Sequence, residues 1–159
     1  MEEILEILEK NSRLSEEELA VMAGKTVEEV KAAIKDYEEN NIIAGYTTLI
    51  NWENTSRDTV TALIEVKVTP QRGEGFDKVA ERIYRFSEVK ACYLMSGGFD
   101  LTVIVEGKTM KEVALFVAEK LAVQESVLSC ATHFVLKKYK DKGTIFEEKP
   151  MDDREGIFI

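Results

Sequence analysis

The sequence has few of the residues on which metal sites and disulfide frameworks depend. Its 159 residues include one histidine, two cysteines and two prolines. A histidine-rich zinc or iron site within one chain is excluded, because His133 has no second histidine to join it. Cys92 and Cys130 lie far apart in the sequence and fit neither a zinc knuckle nor a disulfide framework. We expect no metal and no cofactor.

Long hydrophobic runs are also missing. No apolar stretch approaches the ~18 residues that a membrane-spanning helix requires. The first residues, 1–4, are acidic where a signal peptide carries basic residues. We therefore expect a cytoplasmic protein.

The composition is that of a folded globular protein with an acidic surface. Hydrophobic residues make up 45% of the chain and charged residues 32%. Thirty acidic residues against 21 basic ones give a formal net charge of -9, which argues against broad nonspecific binding to DNA or membranes. Residues 1–52 hold 12 acidic and 5 basic residues, a net of -7, whereas residues 53–159 hold 18 and 16, a net of -2. This difference predicts two domains.

The first domain, at 1–52, is patterned as three helices. Ser15 with Glu18 and Thr26 with Glu29 are capping boxes that start the second and third helices, and Gly24 ends the second. Apolar residues recur at helical spacing and are expected on the buried faces: Ile4, Leu5, Ile7, Leu8, Leu19, Met22, Val27, Val30, Ile34 and Tyr37.

A β-rich run at 42–52 follows the third helix. Three short helices and a β segment make the layout of a winged helix-turn-helix. A three-helix bundle with no role on DNA fits the same pattern equally well. A polar stretch at 53–58 is expected to be the linker to the second domain.

The second domain, at 59–140, alternates strands and helices. Alternation at 60–68 predicts a strand with one buried face, and further strands are expected at 89–95, 101–105 and 127–136. Two helical stripes lie between the strands: Phe76, Val79, Ala80 and Ile83, then Met110, Val113, Val117 and Leu121. The order β-α-β-β-α-β predicts a ferredoxin-like domain, so the fold class is α+β.

Three further features of this part carry expectations. A loop is expected at 70–75, a capping box at Thr109 and Glu112, and a tail at 141–159. The two helices cover one face of the sheet and leave the other open, with Leu63 on it. A second copy of the chain is the expected cover, which predicts a dimer or a larger homo-oligomer.

The order and spacing of these elements resemble the Lrp/AsnC family of amino-acid-responsive transcription regulators over residues 1 to about 140. The stretch 14–20 is similar to that family's second helix, 42–46 to its entry into the wing, and 98–101 to its Gly-x-Asp-Leu hairpin. The resemblance implies a regulator that binds DNA through its helix-turn-helix. It also implies a small effector, an amino acid or a similar molecule, bound between subunits near the hairpin.

The third helix departs from the family, in which it usually presents Ser, Thr and two or more Arg to DNA. With its apolar stripe inward, the outward residues are Glu28, Glu29, Ala32, Lys35, Asp36 and Glu39, a net of -3. Ala32 and Ala33 occupy the family's arginine positions. The remaining candidate DNA contacts are Lys25, Thr26, Lys31 and Lys35. Either DNA binding is weak, or this is a ligand-binding or assembly protein whose helix-turn-helix has lost DNA.

The loop at 96–100 has two interpretations. It is a hairpin turn in both, with glycines supplying unusual backbone angles. As an effector loop it uses Gly97, Gly98, Phe99 and Asp100: exposed N–H groups donate to a ligand carboxylate, and the aspartate accepts from its ammonium group.

We expect no enzymatic activity. Siroheme decarboxylases are similar to this family, but a site for their polycarboxylate substrate calls for His and Arg, and His133 is the chain's only histidine. His133 lies on the fourth strand and faces either the helices or the open side of the sheet. Cys92 and Cys130 are expected on opposite edge strands as small core residues, too far apart for an intrachain disulfide.

Overall fold

The computed structural model describes residues 2–69 and 75–146. These residues form two compact units, the first extending to Ile50 and the second beginning at Asn51. The boundary lies close to residue 52, where the first domain is expected to end. The loop expected at 70–75 falls outside the described residues except for Gly75, which begins a helix.

Three helices make up the first unit: α1 Glu2–Lys10, α2 Glu16–Ala23 and α3 Val27–Glu39. Ser15 and Thr26 are the N-caps of α2 and α3, and both predicted capping boxes are confirmed. Gly24 caps the C-terminus of α2 with φ 61°, a left-handed conformation that glycine adopts at little cost. The sequence therefore predicted both ends of α2.

The core of this unit follows the predicted stripes with one exception. Its buried residues are Ile4, Leu8, Leu19, Ala20, Val30 and Tyr37. Met22 is 56% exposed, so its predicted burial is wrong. At 100° per residue, Ala23 rather than Met22 continues the inward direction set by Leu19 and Ala20, and Ala23 packs against the core.

The β segment predicted at 42–52 is also wrong. Asn41 ends the α3 region with φ 55°, and the N–H groups of Ile42 and Ile43 both donate to the carbonyl of Tyr37. Residues 44–50 then run without helix or strand, and a 3₁₀ turn, Trp52–Asn54, follows. A strand needs a partner for its backbone groups, and the described residues offer none to this segment.

The second unit contains a four-stranded antiparallel sheet. Its strands are β1 Val60–Val68, β2 Val89–Leu94, β3 Leu101–Gly107 and β4 Val127–Phe134, in the order β2-β3-β1-β4. This confirms the β-α-β-β-α-β order, the hairpin between β2 and β3, and the strands' positions to within two residues. Cys92 and Cys130 lie on the two edge strands and are free, as expected.

One face of the sheet is packed against the helices α4 Gly75–Tyr84 and α5 Met110–Phe116. The core between them is apolar: Ala62, Ile64, Val66, Val68, Val79, Ile83, Leu101, Val103, Val105, Val113, Phe116 and Leu121. Alternate residues of β1 contribute to it, and the residues between them face the open side.

The helix that follows β3 differs from its prediction in two ways. Met110, the first residue of α5, is 51% exposed rather than buried, and α5 ends at Phe116 and continues as a π-helical turn, Val117–Leu121. The turn's bond runs from the N–H of Ala122 to the carbonyl of Val117. This spacing brings Phe116 and Leu121 into the core together. The capping box is only half formed, since Glu112 accepts from the N–H of Lys108 rather than of Thr109.

The chain after β4 forms a small hairpin of β5 Lys140–Asp141 and β6 Thr144–Ile145. It straddles the boundary expected at residue 141, and residues 147–159 fall outside the described part. Lys142 and Gly143 both have positive φ, as in the two-residue turns that suit hairpins. No helix within residues 2–69 and 75–146 is long and apolar enough to cross a membrane.

Candidate DNA-binding and effector sites

The helix-turn-helix is held by bonds at both ends of a short turn. Glu18 and Ser15 exchange side-chain to backbone bonds at 2.8 and 3.2 Å, and Thr26 and Glu29 do the same. After Gly24, the N–H of Lys25 donates to Ala20 O at 2.9 Å. These bonds fix the angle at which α3 leaves α2, so α3 presents one constant face.

That face carries the charges predicted for it. Glu28, Glu29, Ala32, Lys35, Asp36 and Glu39 are all exposed. Lys31 Nζ lies 3.3 Å from Glu16 Oε2, and Lys35 Nζ lies 3.7 Å from Glu39 Oε1. Two of the three candidate lysines are therefore paired with carboxylates of the chain itself, and phosphate must compete with those carboxylates.

Thr26 and Glu29 hold the N-terminus of α3 together. The N–H and the hydroxyl of Thr26 both donate to Glu29 Oε2, at 2.8 and 3.0 Å. These bonds hold the pKa of the Glu29 carboxyl below its usual range, and the bond from the Thr26 backbone has the larger effect. Thr26 was predicted as a DNA contact, but its hydroxyl is already engaged.

The segment after α3 is tied back to the helix by Tyr46. Its hydroxyl donates to Glu38 Oε1 at 2.9 Å. Burial, followed by this bond to a carboxylate, raises the pKa of the Tyr46 phenol. Tyr46, in the stretch 42–46 that is similar to the family's wing entry, thus has a structural role that the sequence pattern did not specify.

The loop between β2 and β3 contains the predicted effector residues. Gly97 has φ 130°, and both Gly97 and Gly98 are exposed with open space where a Cβ would lie. Phe99 and Asp100 are half-buried. The loop's backbone is therefore accessible, as a carboxylate site requires.

Asp100 is more deeply committed to the fold than a turn residue usually is. Its Oδ2 accepts from the N–H of Val68 at 2.8 Å, and its own N–H donates to Val66 O at 3.0 Å. The β1–β3 pairing ends with Val66 opposite Leu101, and Asp100 supplies the acceptor for Val68 just beyond that end. The carboxylate expected to meet a ligand ammonium already has a backbone partner.

The open face of the sheet is mixed in character. Leu63 and Ile104 lie opposite each other on β1 and β3, and His133 on β4 lies opposite Leu63. His133 thus faces the open side, and its Nε2 lies 3.5 Å from Glu65 Oε1. Alternation along β1 placed Glu65 on this face, but a pairing with His133 requires the β1–β4 register, which the sequence does not reveal.

A cavity of about 570 Å³ lies near the start of β1 and the end of β3. Its lining includes Arg57, Lys90, Glu106 and Lys108, and none of the predicted effector residues. The sequence does not reveal this cavity, because its lining residues come from three separate segments, 57–59, 87–90 and 106–112. Among the described residues, no cluster of three or more His, Cys, Asp or Glu is arranged to hold a metal ion.

Comparison with known proteins identifies both units. Residues 2–44 match the sequence model of a winged helix-turn-helix DNA-binding domain, and residues 61–145 match that of the Lrp/AsnC ligand binding domain. An uncharacterized HTH-type transcriptional regulator of Bacillus subtilis (strain 168), YugG, is 52% identical over 96% of this chain and 92% of its own. The HTH-type transcriptional regulator LrpA of Pyrococcus horikoshii is 29% identical over 86% and 94%.

Solved structures share the fold at lower identity. A transcriptional regulator of Neisseria meningitidis, in complex with L-Met, superimposes with a TM-score of 0.72 at 24% identity, over 87% of this chain and 89% of its own. AsnC of E. coli superimposes with a TM-score of 0.64 at 19% identity, over 85% and 89%. At these identities the likeness is one of fold.

Proposed function

Since the chain belongs to the Lrp/AsnC family of transcription regulators, we propose that it works as a homodimer or larger assembly that binds DNA weakly and answers to an amino acid. Membership confirms the resemblance seen in the sequence. The protein is a regulator with a DNA-binding helix-turn-helix and an effector-responsive ligand-binding domain. Its place of action is the cytoplasm, and we propose no catalytic role. Burial raises the pKa of both cysteine thiols, Cys92 and Cys130, which makes them poor nucleophiles.

The acidic face of α3 is the observation that supports weak DNA binding. Carboxylates that face phosphates are repulsive, and Ala32 and Ala33 offer no guanidinium group to pair with guanine. The intact turn and both capping boxes favour a helix that still enters the groove over one that has lost DNA altogether. Avidity between the two helices of a dimer offsets the weakness of each.

The DNA proposal is tested by titrating the protein's own upstream DNA at two salt concentrations. Replacing Glu28 with Gln and Ala32 with Arg should tighten binding and steepen its salt dependence. Glu29 must stay, because it caps α3 through Thr26. Replacing exposed Glu17, which lies on α2, with Gln is the matched control for a change of net charge. Nanomolar binding by the unmodified chain in physiological salt would refute weak binding. Undetectable binding by every variant would favour a helix-turn-helix that has lost DNA.

The effector proposal rests on the accessible glycines of the β2–β3 loop. Gly97 and Gly98 are exposed and have open space beside their backbone, and the Neisseria regulator in complex with L-Met is a precedent for an amino acid on this fold. Because Asp100 is bonded to Val68, we propose that the loop's N–H groups carry the ligand carboxylate and that the free edge of the Asp100 carboxylate meets the ammonium.

Calorimetry with each of the twenty amino acids tests the loop. Gly98 has room for a methyl group and no positive φ, so Gly98→Ala should leave the melting temperature unchanged while weakening the ligand. Gly45→Ala, at another exposed glycine with open space, is the matched control. Heat from no amino acid, or equal affinity in Gly98→Ala and Gly45→Ala, would refute the loop as the site.

The open sheet face supports assembly from two copies. Its apolar residues Leu63 and Ile104 lie among charges of both signs, Glu65 and Lys67 among them, so a second copy offers complementary charge as well as apolar contact. With Glu65, Glu106 and Lys67 the face carries a net of -1 when His133 is neutral, against a net charge of -9 for the chain. Leu63→Glu should therefore produce monomers in sedimentation, whereas Leu115→Glu, on the outer side of α5, should not. Monomers of the unmodified chain at micromolar concentration would refute the proposal.

A further inference from the structure

The His133–Glu65 pair lies on the same sheet face through which we propose that two copies associate. The two side chains are 57% and 37% exposed, so both lose water when a second copy covers the face. Leu63 lies opposite His133 in the register, and Ala131 lies opposite Glu65. The pair is thus bordered by apolar side chains on both strands.

We propose that protonation of His133 strengthens the association of two copies through this face, so that assembly responds to pH near neutrality. The inference rests on the proposed dimer and names a regulation of that same interface. Histidine is the side chain whose ordinary pKa, about 6.5, allows such a response.

The physical reason is the state of Glu65 when His133 is neutral. A carboxylate stays ionised throughout the range from about pH 5.5 to 8.5. With His133 neutral, the dimer covers an uncompensated carboxylate, whereas with His133 protonated it covers a pair of zero net charge. Covering a carboxylate whose partner is uncharged weakens the dimer, because that charge is left without compensation.

Other ionisable groups on the face are Lys67 on β1, Glu106 on β3 and Tyr93 on β2. Lys67 is the rival cation for Glu65. It is exposed and lies opposite Ser129, toward the end of the strand, so its ammonium group reaches water at the rim. Glu106 lies opposite Thr61 at the other end of the face, and Tyr93 is uncharged below about pH 9. A second copy contributes the same three groups together with its own His133 and Glu65.

The sign of the effect follows from linkage. Association raises the pKa of His133, so the added dimer stability is fully present below the monomer's pKa and is lost as pH rises through the dimer's pKa. For each histidine, a rise of one unit in pKa on association corresponds to a tenfold change in the association constant. With two histidines in a dimer, a rise of about one unit weakens association about 100-fold between pH 5.5 and pH 8.5.

The single histidine makes the first measurement direct. In the full-length dimer, the imidazole proton resonances of His133 need no assignment, and their titration gives its pKa. We expect the titration midpoint to lie higher in the unmodified chain than in Glu65→Gln, which lacks the carboxylate beside the imidazole. A pKa in the unmodified chain at or below that of Glu65→Gln would overturn the inference.

The second measurement is the dimer dissociation constant from sedimentation at pH 5.5, 6.5, 7.5 and 8.5 and constant ionic strength. The unmodified chain should dissociate more readily as pH rises, His133→Gln should show no such trend, and Glu65→Gln should reverse it. Lys67→Gln, the matched control, should keep the trend. A dimer of equal strength at every pH would refute the switch alone, and a monomer at every pH would refute the interface on which it rests.

Discussion

Replacing Asp100 with Ala should destabilise the second unit even though the residue lies in a turn. Its carboxylate accepts from the N–H of Val68 at 2.8 Å, and Val68 is only 6% exposed. Alanine would leave that buried N–H without its acceptor, and hydrogen bonds to charged groups contribute about 1.5–3 kcal/mol. At about 4–8 °C per kcal/mol for a domain of this size, we expect the melting temperature to fall by about 10 °C.

Differential scanning calorimetry on the full chain measures the change, and Asp100→Asn is its control. Asparagine keeps an oxygen in the same place without the charge, so Asn should lower the melting temperature by less than Ala does. A fall of under about 2 °C in Asp100→Ala would contradict the role assigned to the Val68 bond. Because Asp100→Ala is expected to lower stability, a loss of effector binding in that variant could come from the fold or from the ligand contact. Gly98→Ala is therefore the better probe of the loop.

Gly107→Ala should destabilise the chain by about 1–3 kcal/mol, because the added Cβ would lie 3.0 Å from Val113 Cγ2 in the core. Urea denaturation measures this, and a loss below about 0.5 kcal/mol would show that α5 shifts freely. Because the pKa of Glu29 is lowered, the stabilisation it gives α3 is present above the unfolded pKa and is lost as pH falls through the folded pKa. Circular dichroism from pH 6 to pH 3 should therefore show a larger loss of helix in the unmodified chain than in Glu29→Gln, and an equal loss in both would contradict the Thr26 cap.

The features that the sequence predicted well depend on local contacts. The capping boxes at Ser15 and Thr26 and the left-handed turn at Gly24 involve residues within a few positions of each other, so their chemistry is visible in the sequence. Alternation along 60–68 gave β1 and its buried face for the same reason. The βαββαβ order then followed from the succession of elements.

The features that the sequence missed depend on partners distant in the chain. The β-rich composition of 42–52 does not make a strand, because strand formation requires a second segment to bond with. The bond of Asp100 to Val68 and the pairing of Glu65 with His133 require the sheet's register. In the effector loop, the sequence predicted the accessible glycines. The bond of Asp100 to Val68 could not be predicted, because it depends on where β1 lies beside the loop.

The π-helical turn at 117–121 bears on how sequences of different length align in this helix. An i→i+5 bond accommodates one residue more than an α-helical turn does, so the turn is equivalent to a single-residue insertion within a helix. Deleting one exposed residue there, such as Ala118, would bring Phe116 and Leu121 to the i,i+4 spacing of an ordinary α-helix with both still facing the core. Length changes at this position are therefore compatible with an unchanged core, and gaps in alignments of this helix need not signal a change of fold.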